Sequence, residues 1–210
     1  MHRRTFTFCL AAASLVAGSA RAAGEPVEGK DYRALASPVP VAVPGKIEVI
    51  EFFGYWCPHC RALEPGLEAW AKKLPSDVLL RRVPVAWQPL HQPYQRLYYA
   101  LESLGVPPAI HGKVFEAVHA QGQHLEVESG VAAFAAANGL DKTRLLEALK
   151  SFAVASKVRA ADQLWKSYGL DGVPALVVNG RFVTSPAQTG GDERTLAVLD
   201  ALIRKARTTR

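Results

Sequence analysis

A chain of 210 residues, 49% hydrophobic and 21% charged, is long enough to bury the core of one domain or of one domain carrying an insertion. The formal net charge is +6, but Arg3, Arg4 and Arg21 lie in a leader without acids, so removing it leaves +3. The remaining lysines and arginines form no cluster with interleaved aromatic residues, which argues against a nucleic-acid partner.

The first 22 residues have the form of a secretory signal peptide. A basic segment containing Arg3-Arg4 precedes apolar residues 6–17, and Ala20 and Ala22 place small residues before a cleavage site ahead of Ala23. The apolar segment is too short for a stable membrane anchor. We therefore expect export to the periplasm. An ordinary secretion signal is favoured, while the two arginines leave a twin-arginine signal open.

Extended and helical patterns alternate at the start of the mature chain. Residues 23–44 form a lead-in with a possible edge strand near Pro40–Val43. The β-branched and aromatic residues of Lys46–Phe53 predict a buried strand, helical spacing follows from Cys57 to about Leu74, and Val78–Val85 predicts a second strand. This order indicates a βαβ unit with a parallel pair of strands.

Strand signals disappear from about Pro89 to Ala161. Helices are predicted there at Tyr94–Leu104, at Ile110–Ala120, at Val131–Asn138, after the capping residue Asp141, and at about Ser156–Tyr168. A hairpin follows, with strands at Pro174–Val178 and Arg181–Val183 around an Asn179-Gly180 turn, and then a final helix at about Asp192–Ala206. We predict an α/β domain, residues 23–89 and 162–210, interrupted by an inserted all-helical domain, residues 90–161.

The most informative motif is Cys57-Pro58-His59-Cys60, between the first predicted strand and its helix. Cys9 lies in the leader, so the mature chain keeps two cysteines, and the ring that they close is too short to stabilise the fold much. A Cys-x-x-Cys pair at a strand-to-helix junction is typical of thiol–disulfide oxidoreductases.

The predicted position of each residue in this motif suits disulfide exchange. Unpaired N–H groups and the helix dipole at the N-terminus stabilise the Cys57 thiolate, the nucleophile, and Pro58 fits the first helical turn. His59 can add positive charge or a hydrogen bond. Stabilising the reduced form makes the disulfide a stronger oxidant. Cys60, one turn further in, is expected to be more buried and to act as the resolving thiol.

Two further positions are candidates for the site. A buried Glu51 would have a perturbed pKa and could exchange a proton with Cys60, but the pattern is equally compatible with Glu51 on a solvated edge. A cis peptide between Val173 and Pro174 would expose the Val173 backbone to an extended substrate. From the residues alone, a trans turn proline is favoured.

Together these residues resemble the DsbA family of periplasmic thiol–disulfide oxidases across essentially the whole mature chain. The matching stretches are Val49–Phe53, Cys57–Cys60, Val173-Pro174 and Val178–Gly180. The resemblance implies a thioredoxin-like fold interrupted by an inserted all-helical domain. It also implies Cys57 as nucleophile, Cys60 as resolving cysteine, His59 as tuning residue and Glu51 as buried acid, with Pro58, Val173 and Pro174 contacting the substrate.

The resemblance further implies the reaction and its partners. The protein would donate the Cys57–Cys60 disulfide to newly exported, unfolded or partly folded proteins, with no cofactor beyond that disulfide. A DsbB-like membrane oxidase that uses quinone would re-oxidise it, and the protein would be a monomer. The mature chain cannot form the second disulfide of some members. Relatives can have a lysine where this chain has Arg82, and since arginine stays charged we expect a lower pKa of Glu51 here.

Three alternatives compete with this interpretation. A zinc site at Cys57, His59 and Cys60 lacks a fourth ligand, and the histidines beyond the motif are expected at the surface without helical pairing, so no metal is predicted. These histidines are His91, His111, His119 and His124. A non-redox binding module with a structural disulfide is a second alternative. A reductase or isomerase with the same chemistry is the third.

Overall fold

A mixed sheet of five strands forms the centre of the protein, whose computed structural model describes residues 24–209. The strands are β1 (Arg33–Ala34), β2 (Ile47–Phe53), β3 (Val78–Pro84), β4 (Ala175–Val178) and β5 (Phe182–Thr184), in the spatial order β1-β5-β4-β2-β3. β2 runs parallel to β3 and antiparallel to β4, which confirms the predicted parallel pair. The predicted signal peptide and its cleavage site before Ala23 lie outside the described residues.

Eight α-helices accompany the sheet within the described residues. They are α1 (Pro58–Ala71), α2 (Gln92–Ser103), α3 (Ala109–His119), α4 (Glu128–Ala137), α5 (Lys142–Lys150), α6 (Phe152–Ser167), α7 (Pro186–Thr189) and α8 (Asp192–Thr208), and a short 3₁₀ turn spans Pro89–His91. Every predicted helix is present with shifted ends, and α7 was not predicted. None of the described helices combines the length and apolarity needed to cross a membrane.

The predicted edge strand near Pro40–Val43 is wrong. The first strand lies earlier, at Arg33–Ala34, where it pairs with β5. The chain then follows the hairpin only as far as Val39, whose N–H donates to the Gly180 carbonyl at 2.9 Å. Among the described residues no further strand forms before β2, and Pro40 supplies no N–H to one.

The Asn179-Gly180 turn closes the β4–β5 hairpin as predicted. Both residues have positive φ, 53° and 64°, which is the backbone of the two-residue hairpin turn that Asn-Gly favours. Glycine is also required at position 180 for space, because a Cβ there would collide with the carbonyl oxygen of Val39. β4 begins directly after Pro174 and ends at this turn.

The buried apolar residues form two clusters that meet along β2. One joins Val49 to Leu63 of α1 and Leu199 of α8. The other joins Phe53 to residues of the helical segment α2–α6, including Phe115. The helical segment therefore shares its core with the sheet. The division into a domain of residues 23–89 and 162–210 and an inserted domain of residues 90–161 stays a prediction.

Candidate active site

Cys57 lies where the chain passes from β2 into α1. Its N–H donates to the Gly54 carbonyl at 2.9 Å, which closes a tight turn, and Cys57 is the residue that precedes the first turn of the helix. Pro58 follows in that first turn, where its missing N–H costs nothing. Cys57 is 4% exposed and Cys60 is fully buried, and both are free thiols. Both cysteines are therefore buried, and Cys57 is the one with some remaining exposure.

Hydrogen bonds to its sulfur lower the pKa of Cys57 to about 6. The largest cause is the Cys60 thiol, which donates to the Cys57 sulfur. The backbone N–H groups of Cys60 and His59 donate to the same sulfur, and the positive charge of His59 adds a smaller effect. Burial acts in the opposite direction. Local geometry therefore makes Cys57 a thiolate at neutral pH, the form that attacks disulfides.

The reduced protein is expected to show a thiolate titration with its midpoint near pH 6. The folded pKa of Cys57 is depressed, so its contribution to the stability of the reduced form is full above the ordinary thiol pKa and is lost as pH falls through about 6. Ultraviolet absorbance of the thiolate measures this midpoint. His59→Leu should raise the titration midpoint of Cys57, but not back to the ordinary thiol pKa. His59 is exposed, and the thiol and backbone donors to the Cys57 sulfur remain.

The oxidised protein, which has no thiol to titrate, is the control for that measurement. A midpoint of reduced wild-type protein near the ordinary thiol value would contradict the predicted stabilisation. An identical midpoint in His59→Leu would remove His59 from its tuning role while leaving the hydrogen-bond donors in theirs.

Cys60 has the opposite electrostatic environment. Burial is the main cause that raises its pKa far above the ordinary thiol value, and the neighbouring Cys57 sulfur raises it further. The carboxylate of Glu51 adds a smaller rise. Cys60 therefore holds a proton strongly in the reduced state, whereas Cys57 gives its proton up. This asymmetry separates a nucleophile from a resolving thiol.

The loop before β4 borders the Cys57 sulfur. The Val173–Pro174 peptide is cis, and the Cys57 sulfur lies 3.4 Å from the Val173 carbonyl oxygen, to which it donates when it is protonated. A groove of about 780 Å³ runs alongside, lined by His59, Val173, Pro174 and residues of the β5–α7 segment such as Ser185. The α7 part of this wall was missed in the sequence, because four residues are too few to show a helical period.

Glu51 is fully buried in the middle of β2. Of the two positions that the sequence left open, the buried one is therefore correct and the solvated edge is not. Arg82 stands directly opposite on β3, and its Nε donates to Glu51 Oε2 at 3.1 Å. Burial is the main cause that raises the pKa of Glu51 to about 8, and Glu64 adds to the rise. Arg82 lowers the pKa of Glu51, but by less than these two effects together raise it. That this pKa is lower than in relatives with a lysine at the position of Arg82 stays a prediction.

Glu64 is a second buried acid that the sequence interpretation missed. It lies on α1, and the Nη2 of Arg82 donates to its Oε1 at 2.8 Å and to Glu68 Oε2 at 3.1 Å. The signal in the sequence is its spacing, because a residue four positions after Cys60 lies on the same helix face. Arg82 therefore connects one carboxylate of the sheet with two of the helix.

The expectation that the histidines beyond the motif lie at the surface is wrong for two of the four. His91 and His111 are each 8% exposed. His91 stacks on Trp56, with 3.9 Å between ring centroids, and Nδ1 of His111 lies 2.8 Å from the Tyr55 hydroxyl. Isolated histidines carry no periodic signal, so tertiary packing alone decides their burial.

Comparisons with known proteins agree with this architecture. Residues 80–193 match the family model of the DSBA-like thioredoxin domain, and residues 39–93 match that of thioredoxin. The thiol:disulfide interchange protein DsbA of Pseudomonas syringae pv. tomato is 44% identical over 208 residues, which are 99% of this chain and 97% of that protein. DsbA of Burkholderia cepacia is 40% identical over 205 residues, 97% of each chain.

Solved structures extend the likeness to the fold. The crystal structure of Pseudomonas aeruginosa DsbA has a TM-score of 0.83 at 41% identity and covers 86% of this chain and 94% of that one. The oxidoreductase NmDsbA1 from N. meningitidis has a TM-score of 0.77 at 30% identity and covers 87% and 95%. The similarity therefore includes both the sheet and the helical segment.

Proposed function

Since the chain belongs to the DsbA family of thiol:disulfide interchange oxidoreductases, we propose that it acts in the periplasm and donates its Cys57–Cys60 disulfide to newly exported proteins. The observation that carries this proposal is the opposite shift of the two thiol pKa values, with Cys57 lowered to about 6 and Cys60 raised. A stabilised thiolate favours the reduced form of the pair, and a pair that favours its reduced form oxidises others.

The proposed reaction proceeds in two exchanges. A substrate thiolate attacks the Cys57 sulfur, a mixed disulfide forms, and the bond to Cys60 breaks with the electron pair on the Cys60 sulfur. A second substrate thiolate then attacks the substrate sulfur of the mixed disulfide and releases Cys57 as its thiolate. The low pKa of Cys57 makes it a good leaving group in this step. The substrate gains a disulfide and the protein is left reduced.

The buried acid has a defined task in the first exchange. Cys60 leaves as a thiolate in a buried position where the neutral thiol is strongly favoured. With a pKa of about 8, Glu51 holds a proton at neutral pH and supplies it to Cys60. Protonation stops Cys60 from attacking the mixed disulfide and reversing the step, because only a thiolate is nucleophilic.

The groove beside Cys57 suits an extended substrate chain. Its walls include His59 on one side and the backbone of Val173 before the buried Pro174 on the other. We assign Pro58, Val173 and Pro174 to substrate contact, with unfolded or partly folded exported proteins as the partners. A quinone-linked membrane oxidase of the DsbB type then returns the pair to the disulfide, and the protein acts as a monomer.

The redox equilibrium of the pair in glutathione buffers tests the direction of transfer. We expect the pair to stay reduced until the buffer is strongly oxidising, because the Cys57 thiolate stabilises the dithiol form. Fluorescence of Trp56 provides the readout, since Trp56 precedes Cys57 and its Nε1 donates to the Val85 carbonyl at 3.2 Å. Acid quenching and thiol alkylation give an independent measure of the reduced fraction.

The same redox measurement, followed by a transfer assay, distinguishes the two alternatives, a reductase and a binding module with a structural disulfide. A pair that stays oxidised in reducing buffers would identify a reductase, or a structural disulfide. Transfer to reduced substrate distinguishes these two: a reductase still exchanges thiols with the substrate, whereas a binding module with a structural disulfide does not.

A further inference from the structure

Three buried side chains beneath the redox motif converge on one point. Glu51 of β2, Glu64 of α1 and His111 of α3 each place a potential ligand atom within 4.8 Å of the other two. Their exposed fractions are 0%, 7% and 8%. β2 and α1 follow each other in the chain, whereas α3 comes much later, so only the tertiary structure brings His111 to the two acids.

One polar atom of each side chain has no hydrogen-bond partner among residues 24–209. These atoms are Oε1 of Glu51, Oε2 of Glu64 and Nε2 of His111. Buried polar atoms are ordinarily paired, and leaving one unpaired costs free energy. Each of these three atoms can offer a lone pair, and they lie close together. A metal ion bound between them would accept all three lone pairs.

The remaining polar atoms of the same side chains are each held by a second group. Oε2 of Glu51 and Oε1 of Glu64 both accept from Arg82, at 3.1 and 2.8 Å. Nδ1 of His111 lies 2.8 Å from the Tyr55 hydroxyl; in the tautomer with the proton on Nδ1, His111 donates to Tyr55 and its Nε2 offers a lone pair to a metal. Metal-binding histidines and carboxylates are oriented in this way by outer partners.

The separation of two of the free atoms fits a metal ion of zinc's size. Ligands at tetrahedral zinc lie about 3.3 Å apart when each bond is about 2.0 to 2.1 Å long. Nε2 of His111 and Oε2 of Glu64 are 3.4 Å apart, which is close to that separation; without a metal they can pair with each other when His111 is protonated. One imidazole and two carboxylates also match the nitrogen and oxygen donors that zinc accepts.

The two buried carboxyl groups of the cluster share one counter-charge. Arg82 lies 3.1 Å from Glu51 and 2.8 Å from Glu64. Its third partner, Glu68, is 37% exposed and also pairs with Lys72, so it adds no uncompensated buried charge. When Glu51 gives up the proton that it holds in the metal-free protein, one guanidinium faces two buried negative charges, and a bound cation supplies the missing positive charge.

A solvent path leads to the cluster. A cavity of about 210 Å³ is lined by Tyr55, Arg82 and His111 on its inner side, and by the exposed residues Glu102 and Pro107 at its rim. An ion can enter through this cavity, and a water molecule in it can serve as the fourth ligand.

We propose that Glu51, Glu64 and His111 form a Zn²⁺-binding site between the sheet and helices α1 and α3. The site is distinct from the cysteine pair, for which the sequence predicted no metal. Arg82 and Tyr55 are its positioning residues. The proposal does not depend on the direction of disulfide transfer.

Isothermal titration of the oxidised, untagged, chelator-treated protein with Zn²⁺ tests the site. In the oxidised protein the cysteines form a disulfide and offer no thiolate to the metal. We expect one bound Zn²⁺ per chain and no comparable binding of Mg²⁺, which prefers all-oxygen sites. Tyr55→Phe should weaken binding about 10- to 100-fold, the usual effect of removing an outer partner.

Glu64→Gln and His111→Gln each remove one ligand and should lower affinity at least as much as Tyr55→Phe. The matched control is His124→Gln, an exposed histidine paired with Glu126 outside the cluster, which should bind Zn²⁺ like the wild type. If His111→Gln fails to fold by circular dichroism, Glu64→Gln and Tyr55→Phe still decide. Absence of saturable binding, or binding unchanged in Glu64→Gln and Tyr55→Phe, would overturn the proposal; the cluster would then be balanced by protons.

Discussion

Replacing Cys57 by serine is expected to abolish disulfide transfer completely. Without this sulfur no ring can form, and the remaining thiol, Cys60, is fully buried with a strongly raised pKa. A buried thiol that keeps its proton is inert in exchange. Oxidation of a reduced, unfolded substrate by Cys57→Ser should therefore proceed at the rate seen without protein. Appearance of substrate activity on refolding measures that rate.

Cys60→Ala is the matched control for the role of Cys57. It also lacks a disulfide to donate, but it keeps Cys57, the less buried member of the pair, whose thiolate is still stabilised by the backbone N–H of His59. Cys57 should then attack a substrate disulfide and remain in a mixed disulfide that no internal thiol resolves. Reductant-sensitive adducts on gels are expected for Cys60→Ala and not for Cys57→Ser. Adducts in Cys57→Ser would show that Cys60 is accessible and would contradict the assigned roles.

Arg82→Met is expected to lower the free energy of unfolding by about 3–5 kcal/mol, the cost of removing one partner from a buried ion pair. Arg82 is 15% exposed and binds Glu51 and Glu64, whose side chains are 0% and 9% exposed. The substitution removes the guanidinium that donates to both buried side chains and leaves their carboxyl oxygens without that partner. Denaturant unfolding, performed with a chelator so that metal does not contribute, measures the loss.

The pH dependence of that loss follows from Glu51. Its folded pKa is raised to about 8, so its ionisation costs stability as pH rises from the ordinary carboxyl value through 8. Without Arg82 the pKa of Glu51 rises further, because the guanidinium is a cause that lowers it. Arg82→Met should therefore lose more stability at alkaline than at mildly acidic pH.

Two further variants make this prediction specific. Arg61→Met removes the partner of Glu116 in an exposed pair, 42% and 53% exposed, and should cost at most about 1 kcal/mol. Arg82→Lys keeps a charge but lacks the guanidinium fork that reaches Glu51 and Glu64, so its loss should be intermediate. An equal loss in Arg82→Met and Arg61→Met would show that the buried network does not contribute.

Local patterns in the sequence were sufficient for most of the secondary structure. β2 was predicted from its β-branched and aromatic residues, the hairpin from Asn179-Gly180, and α5 from the cap Asp141, whose side chain accepts from the Arg144 N–H. Each signal acts between residues a few positions apart. The errors, the strand near Pro40–Val43 and the missing α7, fall on short segments whose conformation depends on contacts with β5 and α8.

The candidate site likewise consists of residues that the sequence predicts and residues that only the tertiary structure brings together. Cys57, Pro58, His59 and Cys60 form a contiguous motif, and the groups that lower the pKa of Cys57 belong to that motif, so the sequence alone was sufficient to predict them as site residues. Burial of Glu51, its pairing with Arg82 and the addition of Glu64 and His111 were decided by the tertiary structure. The physical reason is that desolvation and charge pairing depend on distances between β2, β3, α1 and α3, which no local pattern in the chain encodes.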